Sequence, residues 1–185
     1  TVAQLLILTT AAQRTDHTPD DLLGERRPLI EALSLPFGLS RLPAPANGPA
    51  APPAGQWLPG LPRLEGAQAY LPLVWHQPAD EGGQSYEVRI SREAVLRRFA
   101  SEGIPADGSM SLFRVEDDGA TTVLVRHPMV KEEQGLTLRG HVARAAMGST
   151  SGVFQARSVI DGVQRIVGFQ RLGEGGQRLL MVYAL

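Results

Sequence analysis

The sequence predicts an α+β fold, an antiparallel sheet with its helices segregated to one face. Three observations carry that reading. Alternating apolar runs are joined by short turns rich in Gly and Asp, which suits antiparallel neighbours. Helical periodicity is confined to a few short windows. The strand–helix–strand alternation that would build a doubly wound parallel sheet does not occur.

The elements follow in chain order. Residues 1–42 read as helix: Ala3, Leu5, Leu6, Leu8 and Ala12 form an apolar run at the start. Thr18-Pro19-Asp20-Asp21 then supplies an N-cap, a proline at the first helical position and an acidic first turn. Leu22, Leu23, Leu29, Ile30 and Leu33 continue at helical spacing, with Pro28 set to kink or split the helix. Residues 43–64 change character, and seven of the fourteen prolines fall between Pro43 and Pro62. That density excludes helix and interior strand and predicts a long surface loop.

From residue 65 the pattern is β-rich. Ala69–His76 reads as a strand, with Pro72 pointing to an edge or a bulge. Tyr86–Ile90 is a second strand. Ser91 is placed to cap a helix whose apolar positions are Ala94, Val95, Leu96 and Phe99, and Gly103 and Pro105 end it. Ser109–Val115 and Thr121–Arg126 flank Asp117-Asp118-Gly119-Ala120, a hairpin signal. Leu136–Met147 reads as a short helix, and Gly152–Ser158, Val163–Leu172 and Gln177–Tyr183 as strands.

Composition narrows the chemistry. The chain has 185 residues, 18 basic against 19 acidic, a net charge of -1 and no cysteine. Near-neutral charge argues against a nucleic-acid binder, and the missing cysteines exclude disulfides, thiolate metal sites and cysteine nucleophiles. Lys131 is the one lysine, and its neighbours Val130 and Glu132 exclude a P-loop. Gly148-Ser149-Thr150-Ser151-Gly152 has the glycine spacing of a nucleophile elbow but carries threonine at its centre and leads into a strand. His17, His76, His127 and His141 form no ligand pair at helical spacing. The carboxylate pairs Asp117-Asp118 and Glu132-Glu133 read as solvated charge, and Trp75 as core or pocket wall. No catalytic residue, metal site or cofactor is expected. A stand-alone hydrolase would need a nucleophile–base pair that is not in view.

The segment from Gly108 to Leu185 carries a pattern. It runs through Ser111-Leu112-Phe113-Arg114, the acidic turn, and Val123-Leu124-Val125-Arg126-His127-Pro128. It continues with Ser158-Val159-Ile160-Asp161-Gly162-Val163-Gln164-Arg165-Ile166-Val167-Gly168-Phe169 and ends on an apolar strand. This resembles the extracytoplasmic Cache (PAS-like, or PDC) sensor domains of bacterial transmembrane receptors such as diguanylate cyclases and sensor histidine kinases. The resemblance implies a PAS-like five-stranded antiparallel sheet over 65–185, with flanking helices and an N-terminal helical stalk over 1–42. A double Cache would need a longer chain, so one unit is expected. The ligand motif of the amino-acid-binding double domains is not evident, so amino-acid binding is not carried over.

The resemblance also implies a function. The chain would be the periplasmic ligand-sensing part of a membrane-anchored signalling protein, a homodimer in the full-length receptor. Both apolar ends would be cut points next to flanking transmembrane helices. A ligand would sit between the sheet and the helices or loops covering it. An anionic metabolite calls for arginine donors. The candidates are Arg126, Arg114 and Arg157 as anion contacts, Trp75 and Phe169 as walls, Ser158 and Asp161 as polar orienters, and His127 at its strand end. Asp161 also suits the turn at Gly162, and Arg114 a solvent-facing strand position. The alternative function is an interaction or dimerisation module with no small-molecule ligand.

Overall fold

The computed structural model describes residues 37–42, 57–76, 85–129, 135–172 and 178–185. Within them lie eleven strands and two helices. These are β1 (Phe37–Leu42), β2 (Trp57–Pro59), β3 (Arg63–Glu65), β4 (Gln68–His76), β5 (Ser85–Ser91), α1 (Arg92–Ala100), β6 (Ser109–Val115) and β7 (Thr121–His127). They continue with β8 (Thr137–Leu138), α2 (His141–Gly148), β9 (Ser151–Arg157), β10 (Gln164–Leu172) and β11 (Leu179–Ala184). Every strand pairing is antiparallel, as the short turns required.

The strands form two sheets, and the chain divides into two compact units, 1–94 and 95–185. This corrects the expectation of a single five-stranded sheet over 65–185. The first unit holds a five-stranded sheet of order β1-β5-β4-β2, with β3 also on β4. It draws three of its strands from the region read as stalk and loop. Residues 1–36 and 43–56, with most of the predicted helix and loop, lie outside the described residues, while Phe37–Leu42, at the end of the range read as helix, is a strand.

The prolines are accommodated by position. β2 and β3 are short outer strands that share one side of β4. Pro72 therefore sits in an interior strand, not at the edge its missing N–H suggested. It falls at the break between β2 and β3, where its carbonyl accepts from the Gly60 N–H at 2.8 Å and no donor is needed. The unit's core is Leu71, Leu73, Val88 and Ile90. Glu87 is buried on the other face of β5 and accepts from Arg63 Nη1 at 3.2 Å, which offsets the cost of a buried carboxylate.

α1 carries the chain from the first unit into the second. The Ala94 N–H donates to Ser91 Oγ at 3.3 Å, the N-cap the sequence predicted. The second unit is a six-stranded sheet of order β8-β7-β6-β11-β10-β9, with α2 against β9 and β10. Its core joins Phe113, Val115, Val123, Ala156, Val167, Phe169, Leu180 and Val182 to Ala146 of α2. The helix expected over 136–147 begins only at His141. Thr137–Leu138 instead pairs with β7, with Thr122 Oγ1 3.0 Å from Thr137 Oγ1. No helix among the described residues is long and apolar enough to cross a membrane.

Candidate ligand-binding site

A cavity of about 70 Å³ opens between the inner face of the second sheet and α2. Its origin is in small side chains. Ala143 is the buried position of α2 that faces it, and Ser109, Ser111, Ala156 and Ala184 line the sheet opposite. Larger residues there would fill the space. Phe113, Val142, Val167 and Val182 make the walls largely apolar.

Two strands bring charge to this apolar space. Arg126 of β7 is 7% exposed and Arg165 of β10 is 8% exposed, and both line the cavity. Arg126 owes its direction to a bulge. β6 pairs Leu112 with Val125 but Phe113 with Val123, which leaves Leu124 as an extra residue on β7. Strict alternation from Thr121 and Val123 would turn Val125 inward; the extra residue turns Arg126 inward instead, opposite Ser111. Arg165 needs no such device. It is in phase with Val167 and Phe169, on the buried face of β10.

The two guanidiniums converge on one carboxylate. Asp161 Oδ2 accepts from Arg126 Nη2 at 3.0 Å, and Asp161 Oδ1 accepts from Arg165 Nη1 at 2.6 Å. Arg165 Nε also donates to the Asp107 carbonyl at 3.0 Å. Asp161 is offered by a turn that the sequence closes on itself. Ser158 Oγ accepts from the amides of Ile160 and Asp161, and Gly162 takes a positive φ of 71°, a conformation other residues reach only with strain. Partial burial by itself pushes the Asp161 carboxyl up. Hydrogen bonds from Arg165, Val163 N–H and Ser158, with the Arg165 charge, outweigh it and hold the group below the usual carboxylate range.

The structure brings some of the predicted residues together and separates others. Arg126, Arg157 and Ser158 line the cavity, Arg157 from an exposed position where its Nε donates to the Gly162 carbonyl at 2.7 Å. Asp161 stands behind the lining, on the guanidiniums. Arg114 lies elsewhere, paired with Glu116 at 2.8 Å, because Ser109, Ser111 and Phe113 take the inner face of β6 and Arg114 the other. His127 is one residue past Arg126 and turns away for the same reason. Phe169 is core and does not line the cavity: its ring meets Phe154 edge-on at 6.0 Å. Trp75 belongs to β4 of the first unit, while the cavity is built wholly from the second; its side chain lies outside the described residues. Arg165, not among the residues the sequence points to, also lines the cavity. Its signal was an arginine in phase with Val167 and Phe169.

No protein-family model matches the chain, and no curated protein matches it in sequence. Solved structures do. The extracellular domain of a protein described as a histidine kinase, rpHK1S-Z16, superposes with a TM-score of 0.58 at 17% identity over 99% of this chain and 83% of its own. The ligand-binding domain of the Pseudomonas aeruginosa PAO1 amino acid chemoreceptor PctB, in complex with L-Gln, gives 0.49 at 20% identity over 99% and 81%. That of the Pseudomonas fluorescens chemoreceptor CtaA, in complex with L-valine, gives 0.48 at 14% identity over 98% and 85%. The first of these likenesses is one of fold. The chain shares the fold of that extracellular domain.

Proposed function

We propose that this chain is the extracytoplasmic ligand-sensing domain of a membrane-anchored signalling protein, and that the cavity of its second unit receives a small anionic metabolite. One observation carries the reading. Among the described residues, the cavity lining holds three arginines and no carboxylate, set in apolar walls. Such a site pairs charge-assisted donors with low dielectric, which suits an anion and penalises a cation. The Cache-like fold supports a sensing role.

On this reading the domain binds and does not catalyse. It stands in the periplasm between flanking transmembrane helices, works as a homodimer, and controls a cytoplasmic output such as a histidine kinase or diguanylate cyclase. Ligand binding shifts the population of its conformations and so biases the helices that follow.

A thermal-shift panel tests this, with monocarboxylates, dicarboxylates, phosphate, amines and neutral sugars added to the full chain. At a hundredfold excess over Kd a ligand adds about 2.7 kcal/mol, roughly 5–11 °C for a chain of this size. Anions should raise Tm and amines should not. A panel in which no class raises it would refute sensing through this cavity. A second reading, an interaction module, draws on Val153 and Ile166, 75% and 56% exposed on the outer face of β9 and β10. Self-association in sedimentation runs, with no ligand response, would favour it.

A further inference from the structure

We infer that a second copy of this chain pairs with the open edge of β9, antiparallel and about a twofold axis at Gln155; the inference rests on the homodimer of the proposed function and names the surface that forms it.

The two edges of the second sheet differ. β8 ends it on one side with two residues. β9 ends it on the other with seven, and among the described residues no strand pairs with its far side. Sheets commonly protect such an edge with lysine, proline, a bulge or an inward-pointing charge. β9 carries none of these before Arg157, and its register with β10 runs without a shift. Val153 is 75% exposed, and Ile166, its diagonal neighbour on the same face, is 56% exposed. A bare edge of this length invites another strand.

The pairing with β10 fixes which backbone groups point outward. The Arg171 N–H donates to the Thr150 carbonyl at 2.7 Å, and the Ser158 N–H to the Val163 carbonyl at 2.8 Å. Thr150 and Ser158 bracket β9 in one continuous register, so Gly152, Phe154 and Ala156 also bond toward β10. Ser151, Val153, Gln155 and Arg157 turn their N–H and C=O to the open side. Ser151 is closed off by its own neighbour. Ser149 Oγ donates to the Ser151 carbonyl at 2.6 Å and accepts from the Ser151 N–H at 3.3 Å. That leaves Val153, Gln155 and Arg157 as the pairing segment.

This segment matches itself in one register. With the axis at Gln155, that residue faces its own copy, and Val153 faces Arg157 of the second copy. Each pair exchanges two main-chain hydrogen bonds. On the inner face, the partly buried Phe154 stands opposite the small Ala156 of the second copy. An axis at Arg157 would set like charges against each other. An axis at Val153 would put Gln155 opposite Ser151, whose backbone groups are taken. This self-match makes the occupant a second copy and not an unrelated strand.

The chain has no cysteine, so one introduced thiol reads the register. Hydrogen-bonded antiparallel partners have Cα atoms about 5.5 Å apart, within disulfide reach. Under mild oxidation of the full chain, Gln155→Cys should form a covalent dimer at least tenfold faster than Val153→Cys, whose two copies would lie about 14 Å apart along the strands. Sedimentation of the wild-type chain should show a monomer–dimer equilibrium. Gln155→Pro removes an N–H that faces only the open side, a position an edge strand tolerates, and should weaken dimerisation at least tenfold with unchanged circular dichroism. Val153→Lys, which meets Arg157 of the second copy, should weaken it more than Val153→Glu. Equal cross-linking rates, a dimer indifferent to Gln155→Pro, or equal effects of lysine and glutamate would overturn the β9 pairing and leave a homodimer through another surface. A wild-type chain that stays monomeric up to millimolar concentration would overturn both, while the thermal-shift panel judges sensing separately. Should Gln155→Pro not fold, the cysteine pair decides.

Discussion

Arg165→Met should destabilise the second unit far more than an arginine in an exposed β-strand pattern would suggest. Arg165 makes two charge-assisted hydrogen bonds, to Asp161 at 2.6 Å and to the Asp107 carbonyl at 3.0 Å. Bonds of this kind contribute about 1.5–3 kcal/mol each. Two terms reduce the sum. Methionine keeps the apolar stem packed, and Asp161 retains Arg126 at 3.0 Å, so the carboxylate is not orphaned. The expected loss is about 2–4 kcal/mol. Far-UV circular dichroism in urea is the right probe, because both tryptophans, Trp57 and Trp75, belong to the first unit and their fluorescence reports on the wrong half. The internal control is Arg98→Met. Arg98, near the end of α1, pairs with Glu102 just beyond it at 3.2 Å, with half of its side chain exposed, and its loss should cost about 0.3–0.5 kcal/mol. A loss at Arg165 no larger than at Arg98 would refute the buried clamp.

Other perturbations have defined outcomes. Phe169→Ala should cost about 3–5 kcal/mol as a core truncation while leaving ligand affinity within twofold in protein that remains folded, since the ring meets Phe154 and not the cavity. Ser91→Ala removes the oxygen that the Ala94 N–H uses and should cost about 1 kcal/mol, read from the urea midpoint at constant m. Burial lowers the pKa of His76, so the unfolded chain binds protons that the folded chain does not. Its contribution is therefore present above pH ~6.5 and is lost as pH falls through the lowered folded pKa; His76→Asn should flatten that acid limb of the stability curve, and an unchanged limb would assign it elsewhere.

The second unit was more legible in the sequence than the first, and the reason is physical. Its strands alternate cleanly: Arg165, Val167 and Phe169 face in while Gln164 and Ile166 face out, and a hairpin turn rich in Asp and Gly separates β6 from β7. The first sheet recruits β1 from the end of a stretch that reads as helix, and β2 and β3 from around one whose prolines argue against strands. Two of these are three residues long and are held by pairing to β4, which no local pattern announces. The candidate site was half legible. The family resemblance points to Arg126, Arg157, Ser158 and Asp161, of which the first three line the cavity and Asp161 stands behind it. Arg114 was included because its place on the outer face follows only from knowing which of the β6 residues line the cavity. The aim of Arg126 itself depends on the bulge at Leu124, a register choice made between strands. Thr137 and Leu138 show the same limit: helical spacing yields to pairing with Thr121 and Thr122.

The most direct measurement is a titration of the anion that raises Tm most in the thermal-shift panel into the wild-type chain and into Arg126→Gln, both shown to be folded by circular dichroism. Arg126 offers a charge-assisted hydrogen bond from a buried position, and losing one costs about 1.5–3 kcal/mol, or roughly 10–150-fold in affinity. The expected result is saturable one-site binding that weakens at least tenfold in the variant. Equal binding by the two chains, or none by the wild type at any attainable concentration, would contradict an arginine-anchored anion site in the second unit.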